Sequence, residues 1–444
     1  MKLSAIQIQS IVDATKTPTP EQVRVVEAPR RPLLVVAGAG SGKTETMSMR
    51  VLWLLANHPD LTPASILGLT FTRKAAGELG DRLRERIRLL SREMPQMRER
   101  LDEDPVALTY NSFAERIVSE HGMRIGIDPD FSMLSEAGAL DLMTQIVEAW
   151  PTDLDEELRP IDAVPQVLHL AGELAEHGFT VERAREALEE LGRELSQVGD
   201  TNAEARNLLR ANRRRLAFLG PIATYQQRKR EMGVLDFSDQ LVLATRIVRE
   251  APAVRESLRE EFRAVLLDEF QDTSVIQMEL LSTLFGDHAV TAVGDPNQAI
   301  YGWRGASASS LETFLDRFQS GAPEAGQTLT LSTAWRNDVS ILDAANRVAA
   351  PLREVASYQQ GKDALKAQSP VLVPRKGAGQ GTVEIAYTQV YEDALAATVD
   401  FVKRVRSQAT KDGKRRTVAV LSRRRKDFPF IDAALREAGI PTEI

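Results

Sequence analysis

The sequence predicts an α/β protein with a parallel sheet and a helical subdomain inserted into it. Short apolar runs have the length and composition of strands buried on both faces. They are Leu33–Val36, Ile66–Phe71, Ala264–Leu267 and Val290–Val293. Each run is followed by polar or glycine-rich residues, where open α/β sheets place their ligands. The region from about 135 to 232 shows helical periodicity instead, with Gly178 and Gly199 as expected helix stops.

A further, incomplete α/β unit is predicted after Phe318. Its expected strands are Gln327–Leu331, Val383–Ala386 and Thr417–Ser422, and its last helix is Phe428–Ala438. We therefore expect a first domain formed by residues 1–110 and 236–320, a mostly helical insertion at 111–235, and part of a second domain at 321–444.

Composition excludes several classes of function. The 444 residues, 43% of them apolar, suit a soluble chain of two to four domains. The absence of cysteine excludes disulfides, thiolate zinc sites and iron–sulfur clusters. No apolar run is long enough for a membrane span, and the N-terminus lacks the layout of a signal peptide, so a cytoplasmic location is expected. The net charge of −7 does not argue against a nucleic-acid groove, which needs only local positive charge.

A phosphate-binding loop is predicted directly after the first strand. The segment AGAGSGKT consists of Ala37, Gly38, Ala39, Gly40, Ser41, Gly42, Lys43 and Thr44, and a helical pattern follows it. Its glycines let backbone N–H groups converge on phosphate oxygens at a positive helix end. Lys43 is placed to reach the β- and γ-phosphates of ATP, and the Thr44 hydroxyl to bind Mg²⁺.

Two adjacent acids, Asp268 and Glu269, end the Ala264–Leu267 strand. Asp268 is suited to holding Mg²⁺, and Glu269 to orienting or deprotonating an attacking water, a division of roles that phosphoryl transfer requires. An acidic pair in the first turn of a helix is the simpler alternative. The phosphate-binding loop favours the catalytic interpretation.

The segment GDPNQAIYGWRGA (Gly294–Ala306) places a possible nucleotide sensor beside possible base-stacking residues. Gln298 can accept from water and donate to phosphate, while Tyr301 and Trp303 can stack on bases. The alternative is a core strand followed by ordinary aromatic packing. Upstream, the amide of Gln22 suits an adenine edge, although taken alone the pattern favours a helix-capping or solvent-exposed glutamine.

The order of motifs resembles the UvrD/Rep/PcrA family of superfamily 1 DNA helicases over nearly the whole chain. The motifs are TPTPEQ, AGAGSGKT, LTFTRKAAGEL, LTYNSFAERIVSEHG, VLDFSDQLVLA, LLDEFQDT, AVGDPNQAIYGWRGA, STAWRND and TVAVLSRRRKDF. The resemblance implies a P-loop NTPase of two RecA-like domains with helical insertions and ATP bound between the domains. It also implies 3′-to-5′ translocation on single-stranded DNA, with duplex/single-strand junctions as substrates.

The same resemblance implies roles at the nucleotide. Gln298 corresponds to a γ-phosphate sensor and Arg304 to an arginine at the nucleotide site. Arg336 corresponds to an arginine finger, and Trp335 stands where the family usually stacks a tyrosine on adenine. Glu45 replaces a commonly basic residue near the adenine.

On the DNA side, the resemblance implies contacts from Phe71, Tyr301 and Trp303. Arg73 replaces a frequent asparagine and adds a possible phosphate contact. Asn111 stands where the family usually has histidine, which changes one expected contact with the DNA.

Two later motifs of the family, a T-x-H-x-x-K-G-L type and an arginine within V-A-x-T-R-A, are not found. The chain is therefore expected to be an N-terminal portion of a longer helicase. Two alternatives stay open: a nucleotide-dependent DNA-binding fragment without efficient turnover, and the helicase part of a RecB/AdnB-like helicase–nuclease.

Overall fold

The structure is a computed structural model that divides into two compact units, Met1–Gly379 and Gln380–Ile444. It describes residues 2–128, 130–155, 158–197, 203–302, 305–306, 309–319, 326–359, 368–408, 413 and 415–444, with the backbone alone for 354–359. None of the described helices combines the length and apolar character that a bilayer span requires.

The first unit is built on a parallel six-stranded sheet. The strands of the described chain are β1 (Leu33–Ala37), β2 (Ile66–Thr70), β3 (Val106–Thr109), β4 (Ser132–Met133), β5 (Val234–Leu235), β6 (Ala264–Leu267), β7 (Val290–Gly294), β8 (Gln327–Leu331), β9 (Thr333–Ala334) and β10 (Val373–Pro374). The large sheet has the order β3-β2-β6-β7-β1-β8. The four strands expected from the apolar runs are confirmed, each within one residue at its end. They are buried on both faces, which explains their nearly continuous aliphatic sequence.

Helices of the first unit cover both faces of this sheet and form the inserted subdomain. They are α1 (Ala5–Asp13), α2 (Pro20–Val26), α3 (Lys43–Asn57), α4 (Arg73–Glu93), α5 (Tyr110–His121), α6 (Glu136–Glu148), α7 (Pro160–Glu176), α8 (Val181–Gln197), α9 (Ala203–Met232), α10 (Phe237–Glu250), α11 (Pro252–Glu261), α12 (Val275–Phe285), α13 (Phe314–Phe318) and α14 (Val339–Gln359). Because alternate strand residues point to opposite faces, Leu33 and Val35 pack with α1–α4 while Leu34 and Val36 pack with α5 and α10–α13.

The predicted helical insertion is present as α6–α9, which share a separate apolar core around Phe218, Leu219 and Ile222. The chain enters and leaves it through the short parallel pair β4 and β5. At this base the buried Lys229 ammonium lies 2.5 Å from Asp236 and 2.6 Å from Asp239, joining α9 to α10. Gly178 follows α7 with a φ of +67°, as its prediction as a helix stop requires. Gly199 lies outside the described residues.

One predicted strand occupies an unexpected place. Gln327–Leu331 is a strand, but it pairs in parallel with β1 and extends the first sheet instead of opening a new unit. The pairing aligns Leu33 with Gln327 and Ala37 with Leu331. In this register the residues that follow β8 lie next to the phosphate-binding loop.

The second unit contains α15 (Tyr391–Ser407) and α16 (Phe428–Glu437), which confirms the predicted last helix within one residue. Its small core is built around Val402, Leu435 and Ile440. The strands predicted at Val383–Ala386 and Thr417–Ser422 are wrong for the described chain. Neither segment has a ladder partner among the described residues, and a strand is stable only when a neighbour satisfies its backbone groups.

Candidate nucleotide and nucleic-acid sites

The loop Ala37–Thr44 has the geometry of an anion cradle. Gly40 and Gly42 adopt φ values of +74° and +82°, which side-chain-bearing residues rarely adopt. Gly42 is also the N-cap of α3 and supplies no side-chain cap, so the first N–H groups of this helix face the loop. The Ser41 hydroxyl is buried and has no partner among the described residues. These groups fit a phosphate, whose oxygens accept several N–H and O–H donors.

Lys43 and Glu269 meet across the carboxyl ends of β1 and β6. The Lys43 Nζ donates to Glu269 Oε2 at 2.9 Å. Glu269 has a φ of +49°, an uncommon backbone conformation for a residue with a side chain, and such strain concentrates at functional sites. The structure therefore brings together the loop lysine and the acid that sequence analysis paired with it.

Asp268 and Glu269 differ in environment. Burial, followed by the neighbouring Glu269 charge, raises the pKa of Asp268 to about 6. Burial also acts to raise the pKa of Glu269, but the Lys43 ammonium and the Gln271 hydrogen bond outweigh it and leave that pKa lowered. A cation beside Asp268 would relieve the cost of keeping its carboxylate ionised. Half-buried Thr44 follows Lys43, so the donor set of Thr44 and Asp268 suits Mg²⁺.

Gln271 was not identified from the sequence, although it stands two residues after Glu269 in LLDEFQDT. Its Nε2 donates to Glu269 Oε2 at 2.9 Å, and its Oε1 accepts from the Asp295 N–H at 3.0 Å. A polar residue within an otherwise assigned motif was the available signal. Its partner, 24 residues away, was not visible in the sequence.

Gln298 lies in a short 3-10 turn, Pro296–Gln298, directly after β7. Asp295 caps this turn by accepting from the Asn297 N–H at 3.0 Å, and it also accepts from Gln298 Nε2 at 2.7 Å. Both carboxylate oxygens of Asp295 therefore hold the predicted sensor in place.

The predicted adenine-site residues surround Gly42. A methyl group placed on Gly42 would lie 3.2 Å from Gln22 Nε2 and 3.6 Å from Trp335 Cδ1. The backbone N–H of Trp335 donates to the Gly40 carbonyl at 2.8 Å. Trp335 as a whole is 42% exposed. Arg336 follows and is exposed, with its Cβ 3.0 Å from a methyl group placed on Gly40. The tertiary structure thus brings Trp335 and Arg336 of the STAWRND motif to the phosphate-binding loop.

Gln22 also performs the capping role that the sequence left as an alternative. Its Oε1 accepts from the Thr19 N–H at 2.9 Å, and its Nε2 donates to the Thr46 hydroxyl at 3.3 Å. Nearby, the Glu45 carboxylate pairs with Arg86 of α4 at 2.5 Å. The acid after GKT is therefore accompanied by a guanidinium from another helix.

The predicted DNA contacts gather at a neighbouring cleft. Phe71 and Tyr301 stack with ring centroids 4.8 Å apart and planes inclined by 29°. Phe71, Arg73 and Asn111 line a cleft of about 660 Å³ between the sheet's carboxyl edge and the helical insertion. Asn111 Oδ1 accepts from Gln277 Nε2 at 3.4 Å. Trp303 and Arg304 lie outside the described residues.

The fold and the loop define a P-loop protein with a RecA-like sheet. The sequence profile of the UvrD/REP helicase N-terminal domain matches residues 18–319, and the chain belongs to this family.

Three proteins of similar sequence bear the name of a DNA helicase. The chain is 30% identical to DNA helicase II of Escherichia coli (strain K12) over 327 residues, which are 73% of this chain and 39% of that protein. It is 27% identical to DNA helicase II of Haemophilus influenzae over 326 residues, again 73% of this chain and 39% of the relative. It is 29% identical to ATP-dependent DNA helicase PcrA of Staphylococcus aureus (strain Mu50) over 334 residues, 74% of this chain and 39% of that protein. The chain thus spans 39% of the length of these relatives.

Proposed function

We propose that this chain is the nucleotide-hydrolysing part of an ATP-dependent DNA helicase that moves 3′-to-5′ along single-stranded DNA. The observation that carries the proposal is the Lys43–Glu269 contact of 2.9 Å at the carboxyl edge of the sheet. It joins an ammonium suited to binding phosphate to a carboxylate suited to orienting or deprotonating a water molecule. Family membership and the names of the relatives support DNA as the substrate.

In this proposal Lys43 binds the β- and γ-phosphates of ATP, and Thr44 and Asp268 hold Mg²⁺. When bound, the ion would neutralise charge developing on the transferred phosphoryl group. A phosphate oxygen at Lys43 competes with Glu269 for the same ammonium. Because Lys43 lowers the pKa of Glu269, loss of that contact makes the carboxylate a stronger base toward the attacking water.

The remaining nucleotide residues orient and sense the substrate. Trp335 stacks on adenine, with Gln22 beside it, and Gln298 contacts the γ-phosphate. Arg336 approaches the same loop from the chain that follows β9, where a guanidinium stabilises transition-state charge. Arg304 is proposed for the nucleotide site on the resemblance alone.

The stacked pair Phe71 and Tyr301 is proposed as part of the DNA track, since base–aromatic stacking contributes about 1–3 kcal/mol per base without sequence preference. Arg73 and Asn111 line the adjoining cleft and would contact the strand there. Trp303 is proposed for the same track on the resemblance. Tyr301 is three residues from Gln298, so movement of the sensor is transmitted to the track over a short connector.

Single-turnover ATP hydrolysis, with and without oligo-dT, tests the proposal. We expect DNA to stimulate hydrolysis and Glu269→Gln to reduce it about 100-fold or more, as loss of a general base does. Glu256→Gln, at an exposed carboxylate on α11, is the matched control and should hydrolyse ATP normally. Hydrolysis that survives in Glu269→Gln would overturn the assigned role. Nucleotide-dependent oligo-dT binding without hydrolysis would instead support the binding-only alternative.

Strand displacement by the full-length protein tests the polarity. We expect it to separate duplexes with a 3′ single-stranded tail but not those with a 5′ tail.

A further inference from the structure

A continuous hydrogen-bonded chain runs from the phosphate-binding loop to the sensor turn. Lys43 contacts Glu269 Oε2 at 2.9 Å, and the same oxygen accepts from Gln271 Nε2, also at 2.9 Å. Gln271 Oε1 accepts from the Asp295 N–H at 3.0 Å. The next link is from Asp295 Oδ2 to Gln298 Nε2 at 2.7 Å. The proposed base and the proposed sensor are therefore separated by only two residues, Gln271 and Asp295.

Gln271 can hold only one amide orientation in this chain. Its carbonyl oxygen must face the Asp295 N–H, because an N–H cannot donate to an NH₂ group. Its NH₂ must face the Glu269 carboxylate, because an ionised carboxylate can only accept hydrogen bonds. The side chain is only 2% exposed, so water offers no alternative partners if the amide turns. Rotation of Glu269 therefore either breaks a half-buried hydrogen bond or moves the amide that holds Asp295.

The end of β7 is shaped to allow this contact. A methyl group on Gly294 would lie 2.6 Å from Gln271 Oε1 and 3.2 Å from the Gln271 backbone nitrogen. Only a glycine lets the strand pass this close to the amide. The short approach therefore depends on both motifs, LLDEFQDT and GDPNQ.

The far end of the chain is anchored by a segment that follows α14. The buried Ser369 hydroxyl donates to Asp295 Oδ1, which also accepts from the Asn297 N–H. Asn346 of α14 holds this segment through both backbone groups of Leu372, at 2.8 and 2.9 Å. A movement of the Ser369 segment would therefore change the partners available to Asp295 and, through it, to Gln298.

We propose that Gln271 is a positioning residue that couples the Glu269 carboxylate to the sensor turn Asp295–Gln298, with Ser369 anchoring the outer end of the coupling. The inference rests on the proposed ATP hydrolysis for its consequence in turnover. Its structural part does not depend on hydrolysis, because the hydrogen bonds are present in the protein itself.

Gln271→Met tests the coupling, since methionine keeps the side-chain volume and removes all three side-chain hydrogen bonds, to Glu269, Asp272 and the Asp295 N–H. We expect DNA-stimulated kcat to fall by about 2- to 30-fold, the range of energetic coupling between linked residues. KM for ATP should change by less than about twofold, because Gln271 is not proposed to touch ATP. Gln9→Met removes another buried glutamine, on α1, and is the matched control with unchanged kcat.

Hydrogen exchange provides a readout that does not require hydrolysis. In Gln271→Met without nucleotide, the Asp295 amide should exchange about tenfold faster or more, because its acceptor has been removed. Ser369→Ala, which removes only a hydroxyl, serves if the methionine variant does not fold, and should lower kcat in the same direction. The effects of the two substitutions on kcat should be less than additive.

Unchanged exchange at Asp295 together with unchanged kcat would overturn the inference. Faster exchange with unchanged kcat would show that the contact exists but does not position Glu269, which also overturns it. If the wild-type chain does not hydrolyse ATP, the proposed function fails. A faster Asp295 exchange in Gln271→Met would in that case still support the link between the two motifs.

Discussion

Arg50 is predicted to be the main polar support beneath the nucleotide site. It lies on α3, is only 1% exposed, and donates to five oxygen atoms. Four of these atoms are the carbonyls of Val25, Val26, Ala28 and Pro29, at and beyond the end of α2, and the fifth is the hydroxyl of Thr291 on β7. Burial lowers the pKa of Arg50 to about 10, which leaves the guanidinium charged at neutral pH. The positive charge is compensated by carbonyl groups at a negative helix end.

Arg50→Met keeps most of the stem but removes the side-chain donor from five oxygen atoms. Four of them belong to buried residues, whereas Pro29 is exposed and its carbonyl keeps the Arg31 N–H as a donor. Hydrogen bonds to a charged group contribute about 1.5–3 kcal/mol each, and water entering the space left by the guanidinium would recover part of the sum. We expect a loss of about 3–5 kcal/mol in the free energy of unfolding, as for other buried charges whose contacts are broken. That loss is a large share of the roughly 5–15 kcal/mol that keeps a domain folded.

Urea unfolding followed by circular dichroism and tryptophan fluorescence measures this loss. Arg88→Met is the matched control, because Arg88 is exposed, has no ion pair among the described residues, and should cost no more than about 0.5 kcal/mol. Nucleotide affinity should also fall in Arg50→Met, since α2 carries Gln22 and also Glu21, which accepts from Ser332 at 2.6 and 2.8 Å. A destabilisation below about 1 kcal/mol would refute the reasoning, because the four acceptors on buried residues cannot lose the Arg50 donor at so small a cost.

Other predictions test separate parts of the molecule. Trp335→Ala should weaken binding of a fluorescent adenine nucleotide by about 1–3 kcal/mol, while Trp335→Tyr should retain most of the affinity; equal loss in both variants would contradict stacking. Affinity for oligo-dT should fall as salt rises, with a logarithmic slope of about −0.7 per phosphate contact, and a flat response would contradict an electrostatic track. Gly294→Ala should destabilise the protein by about 1–3 kcal/mol in urea, because its methyl group overlaps Gln271, and wild-type stability would contradict that overlap. Burial lowers the pKa of His288 below its ordinary 6.5, so the unfolded chain binds more protons and stability should fall as pH decreases through 6.5. His288→Gln should reduce that decrease, and an unchanged pH profile would contradict the assignment.

The predicted nucleotide site shows which features can be inferred from short stretches of consecutive residues. AGAGSGKT and the acids Asp268 and Glu269 could be predicted as site residues because each proposed chemical role lies within a few consecutive residues next to a buried strand. The strands β1, β2, β6 and β7 were likewise readable, since burial on both faces leaves an aliphatic run that few other structures require.

Predictions were weaker where structure depends on a distant partner. Gln327–Leu331 was correctly identified as a strand, yet nothing within it indicates that its neighbour is β1. Val383–Ala386 has strand composition, but composition does not supply the ladder partner that a strand needs. Gln22 was assigned two competing roles, and the structure shows its capping contacts beside the loop, so position allows both.

The sequence by itself determined the class of fold, and it predicted the phosphate-binding loop and the residue types for phosphoryl transfer, because short-range periodicity and motif spacing encode them. Only the tertiary structure decided which of those residues are connected. Gln271 meets Asp295 24 residues away, and Ser369 meets it 74 residues away. Hydrogen bonds require groups about 3 Å apart in space, and separation along the chain carries no record of that distance.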